Sequence, residues 1–311
     1  MEHNFPRSED AVHAILARTV QRTISIVGAG RLGKALGKRL RERGWQIGTV
    51  VTRSSATSRA AVRVIGGGEA GAIGLEVLSA PVVLFTVPDD ALAAVAESLA
   101  KLGGAACRGK IVLHTSATLD RSALAPLARC GAATGSLHPM QAFGGKIVPN
   151  LKGMIFGIEG DAKARRMAQS LAGSLGGVPV TINARQKPIY HAAAVMAGGS
   201  LYSIVEAGLR LLIGIGFTRA RATQTLLPLV RQILDNIERI GPRAAWTGPL
   251  SRGDYKVIAR HARALRHYPR EIQQSYAVLA LLAGRLLSKN PRAALKQIKR
   301  ALGNLRRKFE S

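Results

Sequence analysis

Short apolar runs alternate with helical patterns through the first half of the chain. The runs "TISIV", "QIGTVV", "PVVLF", "KIVLHTSA", "ATGSLHPMQAF", "GMIFGIEG" and "VPVTIN" predict β-strands. Between most of them, apolar residues recur at spacings of three and four, which predicts amphipathic helices. Alternation of strand and helix is typical of a mostly parallel sheet with helices on both faces, so the first half is predicted to be a doubly wound α/β domain.

The second half shows only helical patterns, which cover about residues 187–216, 218–240, 252–267, 269–288 and 291–308. An all-α domain is therefore predicted to follow the sheet. We divide the chain into an N-terminal arm, an α/β domain, a helical domain and a basic tail helix, with these boundaries: 1–21, 22–184, 185–288 and 289–311.

Composition narrows the class of protein. A chain of 311 residues with 47% hydrophobic residues is long and apolar enough to form a substantial core. No apolar run approaches the ~18 residues that a membrane-spanning helix requires, and residues 1–21 contain no hydrophobic block typical of a secretory signal. We therefore predict a cytoplasmic protein. Cys107 and Cys130 have no metal-ligand companions at short spacing, so neither a zinc site nor a disulfide framework is predicted.

The formal net charge of +27 leaves two interpretations open. Excess Lys and Arg attract phosphate in nucleic acids, membranes or nucleotides. The interpretation we favour is a solvated arginine-rich surface, because no aromatic residues interleave with the basic ones as a base-stacking platform requires. The tail "KNPRAALKQIKRALGNLRRKF" is the most concentrated basic segment, and its amphipathic pattern fits either an anionic surface or docking on its own protein.

A glycine-rich turn follows the first predicted strand. The segment "GAGRLG" comprises Gly28, Ala29, Gly30, Arg31, Leu32 and Gly33 and fits G-x-G-x-x-G between a strand and a helix. Gly28 permits a tight turn, Gly30 allows the backbone to approach a pyrophosphate, and Gly33 lets the helix pack on the sheet. The helix N-terminus then faces the phosphates. This context predicts a dinucleotide site, and the alternative is a glycine turn that only packs tightly.

The end of the second strand indicates which dinucleotide binds. An acidic residue there favours NAD, but the sequence reads "VVTRSS", with Arg53 and Ser54. A guanidinium and a hydroxyl suit the 2′-phosphate of NADP, so NADP is preferred to NAD. The alternative is a solvent-exposed arginine in an arginine-rich protein. The turn at Val87 and Pro88 is expected at the same crevice, where the strands of a doubly wound sheet end.

Two later strands end in side chains capable of chemistry. Thr115 and Ser116 follow His114 on one strand, and His138 and Gln141 end the next. Histidines at strand ends above a nucleotide site are candidates for catalysis, whereas a lone histidine is more often a hydrogen-bonded core residue. Both interpretations stay open from the sequence.

The helix that opens with "KPIYH" places three polar side chains on one face. Lys187, Tyr190 and His191 have spacings of three and four, and Pro188 suits a first helical turn. Lys187 or His191 could donate the proton that hydride transfer to a carbonyl or imine needs, with Tyr190 orienting either one. Burial and the helix N-terminus are expected to lower the donor's pKa. Alternatively, His191 and Tyr190 hold the angle between domains and Lys187 is solvated.

Four unusual strings occur in order along the chain: "TVPDD", "SLHPMQAF", "KPIYHAAAV" and "TGPLSRGD", the last followed by "ARHARAL". With the "GAGRLG" start, they resemble bacterial proteins that pair a Rossmann-like domain with the C-terminal domain of unknown function 2520. The resemblance covers about residues 22–288. The wider group is similar to pyrroline-5-carboxylate reductase, ketopantoate reductase and the β-hydroxyacid dehydrogenases.

The resemblance implies a Rossmann-type sheet followed by an all-α domain similar to the C-terminal domain of 6-phosphogluconate dehydrogenase. It also implies a homodimer formed through the helical domain and substrate in the cleft between domains. Two positions depart from the family pattern, Gly199 in place of an Asn and Ala117 in place of a Gly. These departures predict altered substrate binding or reduced activity.

The loop "IGPRAAWTGPLSRGD" supplies candidate substrate ligands. Arg252 is expected to clamp a substrate carboxylate, because guanidinium matches carboxylate in bidentate geometry, and Thr247 could assist. Alternatively, Arg252 pairs with Asp254 and stiffens the loop, or Asp254 caps the following helix.

Together these features predict an NADP-dependent oxidoreductase for a small carbonyl, imine or hydroxy acid. The alternative is a dinucleotide-binding sensor or scaffold without turnover, whose basic tail binds a partner or an anionic surface. Nucleic-acid or membrane binding through the tail is possible but not favoured.

Overall fold

The computed structural model describes residues 22–144 and 148–305. The predicted N-terminal arm and the last six residues of the predicted tail lie outside this part. Contacts divide the chain into two compact units after Gly199. The sequence placed the domain boundary at residue 184, ahead of the helix that begins at Lys187, whereas the division by contacts assigns that helix to the first unit. The exact domain boundaries stay a prediction.

The described part of the first unit contains an eight-stranded sheet with the order β3-β2-β1-β4-β5-β6-β7-β8. Neighbouring strands are parallel except β6 and β7, which pair antiparallel. The predicted doubly wound fold is confirmed, although the sequence did not predict the short β3 or the antiparallel pair. The strands are β1 Thr23–Val27, β2 Gln46–Val51, β3 Glu69–Gly71, β4 Val82–Phe85, β5 Ile111–His114, β6 Ala133–Pro139, β7 Ile155–Gly160 and β8 Val178–Thr181.

Helices cover both faces of this sheet. Residues of β4 and β5 are almost fully buried, as expected for central parallel strands between two helical layers. Leu36 and Leu40 pack in the core on one face, and Leu92 and Leu99 pack in the core on the other. The helices of the first unit are α1 Arg31–Glu42, α2 Ser55–Ile65, α3 Asp89–Gly103, α4 Ala125–Arg129, α5 Ala162–Ser174 and α6 Lys187–Ala194.

Helix α3 begins without a side-chain cap. The pattern "PDDALAAVA" predicts Asp89 or Asp90 as its cap, but the N-cap is Pro88, so this prediction is wrong. Both carboxylates lie inside the first turn, where they still complement the helix dipole.

The strand order reverses between β1 and β4, which pair side by side although two strands intervene in the chain. In such sheets, ligands bind outside the carboxyl ends of the strands at the point where the order reverses. The glycine turn after β1 and the Thr86–Pro88 turn after β4 meet there.

The described part of the second unit is helical. Its core contains Ile258, Ala277, Ala280, Ala294, Ile298 and Leu302. Three of these residues belong to the predicted basic tail helix, so residues 291–302 dock on their own protein. The helices are α7 Ser200–Gly214, α8 Arg219–Ile240, α9 Pro242–Ala245, α10 Tyr255–Ala264, α11 Arg270–Leu286 and α12 Pro291–Leu302.

One continuous helical segment, Ala184–Gly214, is long and apolar enough to cross a membrane by length and composition. It includes α6, a π-helical turn at Val195–Gly199 and α7. The expectation that no segment would meet this criterion is wrong, because the helix continues without a break through "LYSIVEAGLRLLIG". Its N-terminal end carries Lys187, which is buried in the first unit. A cytoplasmic location stays a prediction.

Candidate nucleotide and active site

The glycine turn has the geometry of a phosphate cradle. Gly28 has φ of +92°, and a Cβ there would lie 2.5 Å from Val87 Cγ1. A Cβ on Gly33 would overlap the Thr86 side chain, whose hydroxyl donates to the Gly28 carbonyl oxygen at 2.7 Å. At Gly30, by contrast, the nearest atom to an added Cβ is 3.9 Å away. Gly28 and Gly33 thus pack tightly, while space remains beside Gly30 for a ligand.

Helix α1 begins directly after this turn. Its N-cap is Gly30, and no side chain caps it. The N–H groups of a first helical turn have no partners within the helix, and the helix dipole adds partial positive charge. The end of α1 is therefore suited to binding a pyrophosphate.

A cluster of hydroxyls lies at the carboxyl end of β2, beside an exposed guanidinium. Ser54 is the N-cap of α2 and accepts from the Thr57 N–H at 3.3 Å. Thr52 and Thr57 hydroxyls also bond to one another. Arg53 is exposed and has no hydrogen-bond or ion-pair partner among the described residues. No carboxylate occupies this strand end, and the free cation with its hydroxyls suits a phosphate monoester.

These elements open onto a cavity of about 1440 Å³. Every lining residue belongs to the first unit. Of the predicted cofactor residues, Arg31 and Gly33 do not line the cavity, and Gly33 instead packs on Thr86. The predicted residues that do line it are Gly28, Ala29, Gly30, Leu32, Arg53, Ser54, Val87, Pro88, Thr115, Ser116, Gln141, His138 and His191.

Ser116 lies at the junction between β5 and the cavity. Its hydroxyl donates to Asp89 Oδ2 at 2.7 Å, and Thr118 donates to the same oxygen at 2.9 Å. The Ser116 Oγ in turn accepts from the Leu119 N–H. Ser116 and Asp89 therefore join the loop after β5 to the start of α3, and both line the cavity.

His114 is a structural residue. It is completely buried, its Nδ1 accepts from the Ser116 N–H at 3.2 Å, and its Nε2 lies 3.1 Å from the Asp120 carbonyl oxygen. These partners fix the tautomer with the proton on Nε2. Burial, reinforced by the Lys187 charge, lowers the pKa of His114 to about 4, so the ring is neutral. The sequence left open whether His114 is catalytic or a hydrogen-bonded core residue, and the structure shows a hydrogen-bonded core residue.

His138 and His191 form an imidazole pair at the cavity wall. Their ring centroids are 6.3 Å apart in an edge arrangement. His138 Nδ1 lies 3.3 Å from the Tyr190 hydroxyl, and Tyr190 itself does not line the cavity. Burial and then the Lys187 charge lower the pKa of His138 to about 4. A neutral His138 can offer a ring N–H to a ligand.

Lys187 lies behind the cavity wall and does not line it. It is 3% exposed, and its Nζ donates to the Ser136 hydroxyl at 2.7 Å and to the Ser116 carbonyl oxygen at 3.1 Å. Burial lowers the pKa of Lys187 to about 8, although the charges of Glu159, Asp120 and Asp89 oppose the shift. The predicted direction is confirmed, and the alternative of a solvated lysine is wrong.

Thr247 and Arg252 lie in the second unit, in the loop before α10. Arg252 is exposed and forms no ion pair with Asp254, so the alternative of a stiffening pair fails. Asp254 occupies the N-cap position of α10, but its side chain makes no capping bond. The roles proposed for Thr247 and Arg252 stay predictions.

Several site residues were missed from the sequence. Lys34, Thr57 and Asp89 line the cavity, Ser136 accepts a hydrogen bond from the Lys187 ammonium, and the charge of Glu159 raises the Lys187 pKa against the effect of burial. The Ser-x-x-Thr spacing after β2 was an available signal for Thr57. Ser136 and Glu159 could not be found in this way, because they lie on β6 and β7, whose antiparallel pairing the sequence did not reveal. Among the described residues, no cluster of three or more potential metal ligands is present.

Comparison with family models identifies both halves of the chain. Residues 7–139 match a Rossmann-like domain, and residues 154–283 match a domain of unknown function, DUF2520. The predicted pairing of these two domains is confirmed. No curated protein sequence matches the chain significantly.

Solved structures show the same fold at low sequence identity. A Bacteroides fragilis protein assigned as an NADP oxidoreductase has a TM-score of 0.68 and 21% identity, over 89% of this chain and 99% of that one. A Thermotoga maritima protein, TM1727, has a TM-score of 0.62 and 23% identity over 90% and 98%. A reductive aminase from Aspergillus terreus, in complex with NADPH and ethyl-5-oxohexanoate, has a TM-score of 0.57 and 17% identity over 90% and 93%.

Proposed function

We propose that this chain, a Rossmann-like domain joined to a domain of unknown function 2520, is an NADP-dependent oxidoreductase. Its substrate would be a small carbonyl, imine or hydroxy acid. The observation that carries the proposal is a single cavity that has a phosphate cradle at Gly30, a free guanidinium at Arg53 and an imidazole pair at His138 and His191.

The residues present fit NADP better than NAD. The pyrophosphate would lie beside Gly30 at the N-terminus of α1, where space is open and N–H groups are available. The 2′-phosphate would lie against Arg53, with Ser54 and Thr57 as hydroxyl donors, because no carboxylate competes there. The Bacteroides fragilis assignment and the NADPH in the Aspergillus terreus complex favour the same cofactor.

Bound NADPH would supply a hydride to the substrate carbon. The protein must then supply a proton and stabilise the developing charge on oxygen or nitrogen. Both rings reach the cavity, so His191 would supply the proton and the neutral His138 would stabilise the developing charge through a ring N–H. Tyr190 would orient His138 through its hydroxyl. Lys187 would act as a positioning residue, since its ammonium holds the Ser116 carbonyl and does not reach the cavity.

The oxo-ester in the Aspergillus terreus complex supports a C=O or C=N substrate. Of the predicted substrate ligands at the strand ends, Gln141 has an amide N–H to offer such a group, whereas the hydroxyls of Thr115 and Ser116 already donate to the Phe85 carbonyl oxygen and to Asp89 and would line the site. The roles of Thr247 and Arg252 as substrate ligands in the second unit are part of the same proposal.

Calorimetry tests the cofactor assignment. Wild-type protein should bind NADPH more tightly than NADH, and Arg53→Gln should remove most of that preference, at a cost of about 1.5–3 kcal/mol for a lost charged hydrogen bond. Arg59→Gln is the matched control, because Arg59 is a nearby exposed arginine of α2 that does not line the cavity. Equal affinity of wild type for both dinucleotides would contradict the assignment.

Turnover separates an enzyme from a sensor. NADPH oxidation would be followed across a panel of oxo acids, aldehydes and cyclic imines, and His191→Asn should lower kcat about 10²–10⁴-fold while NADPH still binds. NADPH binding without oxidation of any panel member would favour the non-catalytic sensor.

We further propose that the chain forms a homodimer through an apolar face of α7 and α8. This α7–α8 face is formed mainly by α8, whose exposed apolar residues are Leu229, Ile233, Leu234, Ile237 and Ile240, and α7 adds Tyr202 and Ile204 on two different sides; each is 37–70% exposed. Exposed apolar residues in such number are typical of an interface. A bilayer is the less suitable partner, because α8 is interrupted by Arg231, Asp235, Glu238 and Arg239.

A further inference from the structure

The segment from Arg252 to Arg300 is strongly basic. It contains 12 Lys or Arg residues and 2 Asp or Glu residues. The packing of α10 and α12 explains where these charges lie, because both helices bury their apolar side in one core.

The two helices present the same pattern to solvent. On α10, Lys256, Arg260 and Arg263 are exposed and lie within one narrow stripe, at spacings of four and three. The buried residues of this helix, Ile258 and Ala262, lie on its opposite side. The exposed basic residues therefore point away from the core.

Helix α12 repeats this arrangement. Arg292, Lys296 and Lys299 are exposed at the same spacings of four and three. Ala294, Ile298 and Leu302 are buried on the opposite side. We define these three residues, with the three of α10, as the basic face.

No acidic residue neutralises the basic face. None of its six side chains has a hydrogen bond or ion pair within the described part of the chain. By contrast, Arg210 and Arg219 of the same unit both pair with Glu206. The basic face is therefore a set of unpaired cations held on two rigid helices.

We propose that the basic face binds the phosphate backbone of double-stranded nucleic acid without reading its sequence. Each stripe of eight residues spans about 10 Å along its helix, and duplex DNA carries one negative charge per about 1.7 Å of its axis. Each stripe holds three cations over this length, which matches the charge of one strand of a duplex, at one charge per about 3.4 Å. The binding would be independent of the proposed oxidoreductase activity.

Two other classes of polyanion fit the basic face less well. A helix that lies on an anionic membrane inserts its apolar side into the lipid, but α10 and α12 have already buried theirs in the core. Single-stranded nucleic acid needs aromatic side chains on which bases stack. Neither helix exposes a Phe, Tyr or Trp, since Tyr255 packs against the core.

Fluorescence anisotropy with a labelled 24-base-pair duplex tests the proposal. Six phosphate contacts predict a loss of affinity of about 10³-fold between 50 and 200 mM salt. A second duplex of unrelated sequence should bind equally well. Glutamine replacement of all six residues of the basic face should reduce affinity at 50 mM salt at least 100-fold and flatten the salt dependence.

A matched control separates the basic face from overall charge. Six exposed arginines of the first unit would be replaced by glutamine, which removes the same net charge and should change affinity by less than about threefold. If the six-residue variant does not fold, the two triple variants, one in α10 and one in α12, replace it. The control residues are Arg43, Arg63, Arg108, Arg165, Arg166 and Arg185.

Four outcomes would overturn the proposal. Wild-type protein could fail to bind the duplex at 50 mM salt, or the control set could weaken binding as much as the basic-face set. The protein could bind vesicles of phosphatidylglycerol and phosphatidylcholine but not the duplex, which would indicate a membrane. It could prefer a single strand of equal length, which would indicate base stacking.

Discussion

Leu99 of α3 and Leu234 of α8 are leucines on amphipathic helices, yet Leu99 is completely buried and Leu234 is 49% exposed. The same contrast runs through both units. In the first, α1 and α3 bury their leucines against opposite faces of the sheet. In the second, buried residues concentrate around Ile258 and Ile298, far along the chain from α8.

This difference shows how each unit completes its core. A parallel sheet offers two apolar faces, and the helices that connect its strands cover both of them. No sheet covers the apolar stripe of a long helix such as α8, so this stripe stays exposed to solvent until another protein surface packs on it. The first unit is therefore expected to depend little on a partner, and the second is expected to depend on a second copy.

The largest expected effect is on the oligomeric state. Replacing both Leu234 and Ile237 with Glu would place charges in the proposed dimer interface, and the dimer should weaken at least about 1000-fold because unpaired charges resist burial. Sedimentation velocity over a range of concentrations measures this. The control Leu102→Glu changes a residue of the first unit that is 57% exposed, and it should leave the dimer intact. A wild-type protein that is monomeric at high concentration would contradict the proposal.

The contrast also explains which parts of the fold could be predicted. Strands such as β4 are short, apolar and followed by a polar turn, so local pattern was enough to place them. The direction of β7 was not predictable, because this antiparallel strand is buried along most of its length and so has the continuous pattern of its parallel neighbours. The π-helical turn at Val195–Gly199 was also missed, because one extra residue in a helical turn leaves no clear periodic signal.

Within the site, prediction succeeded where one residue type can satisfy the geometry. Gly28 and Gly33 are required by a positive φ and by close packing, respectively, so the pattern identifies them. The sequence pattern was less informative about the position of Lys187. The helical stripe placed Lys187 beside His191, but its partners, Ser116 in the loop after β5 and Ser136 on β6, turn it away from the cavity. Those partners come from distant strands, which a local pattern does not reveal.

The next effect concerns acid stability of the first unit. The folded protein holds the pKa of His114 at about 4, below its usual 6.5, so the unfolded chain binds more protons between these values. The free energy of unfolding should therefore fall as pH drops from 6.5 to 4, by about 3 kcal/mol from His114.

Urea unfolding at several pH values measures this slope. His114→Asn should remove the part of the slope that comes from His114, because Asn does not titrate and can accept from the Ser116 N–H. His138→Asn should remove a smaller part, since His138 is only partly buried. An unchanged slope in His114→Asn would contradict the assignment of this histidine as neutral and structural.

Helix caps give a smaller effect that compares the two units directly. Asp161 caps α5 through the Ala164 N–H at 2.9 Å and also accepts from the Thr134 N–H of β6 at 2.7 Å. Asp161→Ala should cost about 2–3 kcal/mol, because it removes a cap and leaves a strand N–H unpaired. Asn290 caps only α12, through the Ala293 N–H at 3.2 Å, so Asn290→Ala should cost about 1 kcal/mol. Thermal unfolding measures the stability lost in each variant, and equal losses in Asp161→Ala and Asn290→Ala would contradict this prediction.

The smallest effect tests the open space beside Gly30 in the cavity of the first unit. An added Cβ at Gly30 meets only the Gly28 carbonyl oxygen, at an ordinary contact distance of 3.9 Å, so Gly30→Ala should leave the fold stable. The methyl group would nevertheless occupy the space proposed for the pyrophosphate, and NADPH affinity should fall about tenfold, or about 1.4 kcal/mol. Calorimetry measures the affinity, and Gly173→Ala is the control, because Gly173 lies in α5 with open space around its Cβ position and away from the cavity. If Gly30→Ala binds NADPH as tightly as Gly173→Ala does, the space beside Gly30 is not where the pyrophosphate lies.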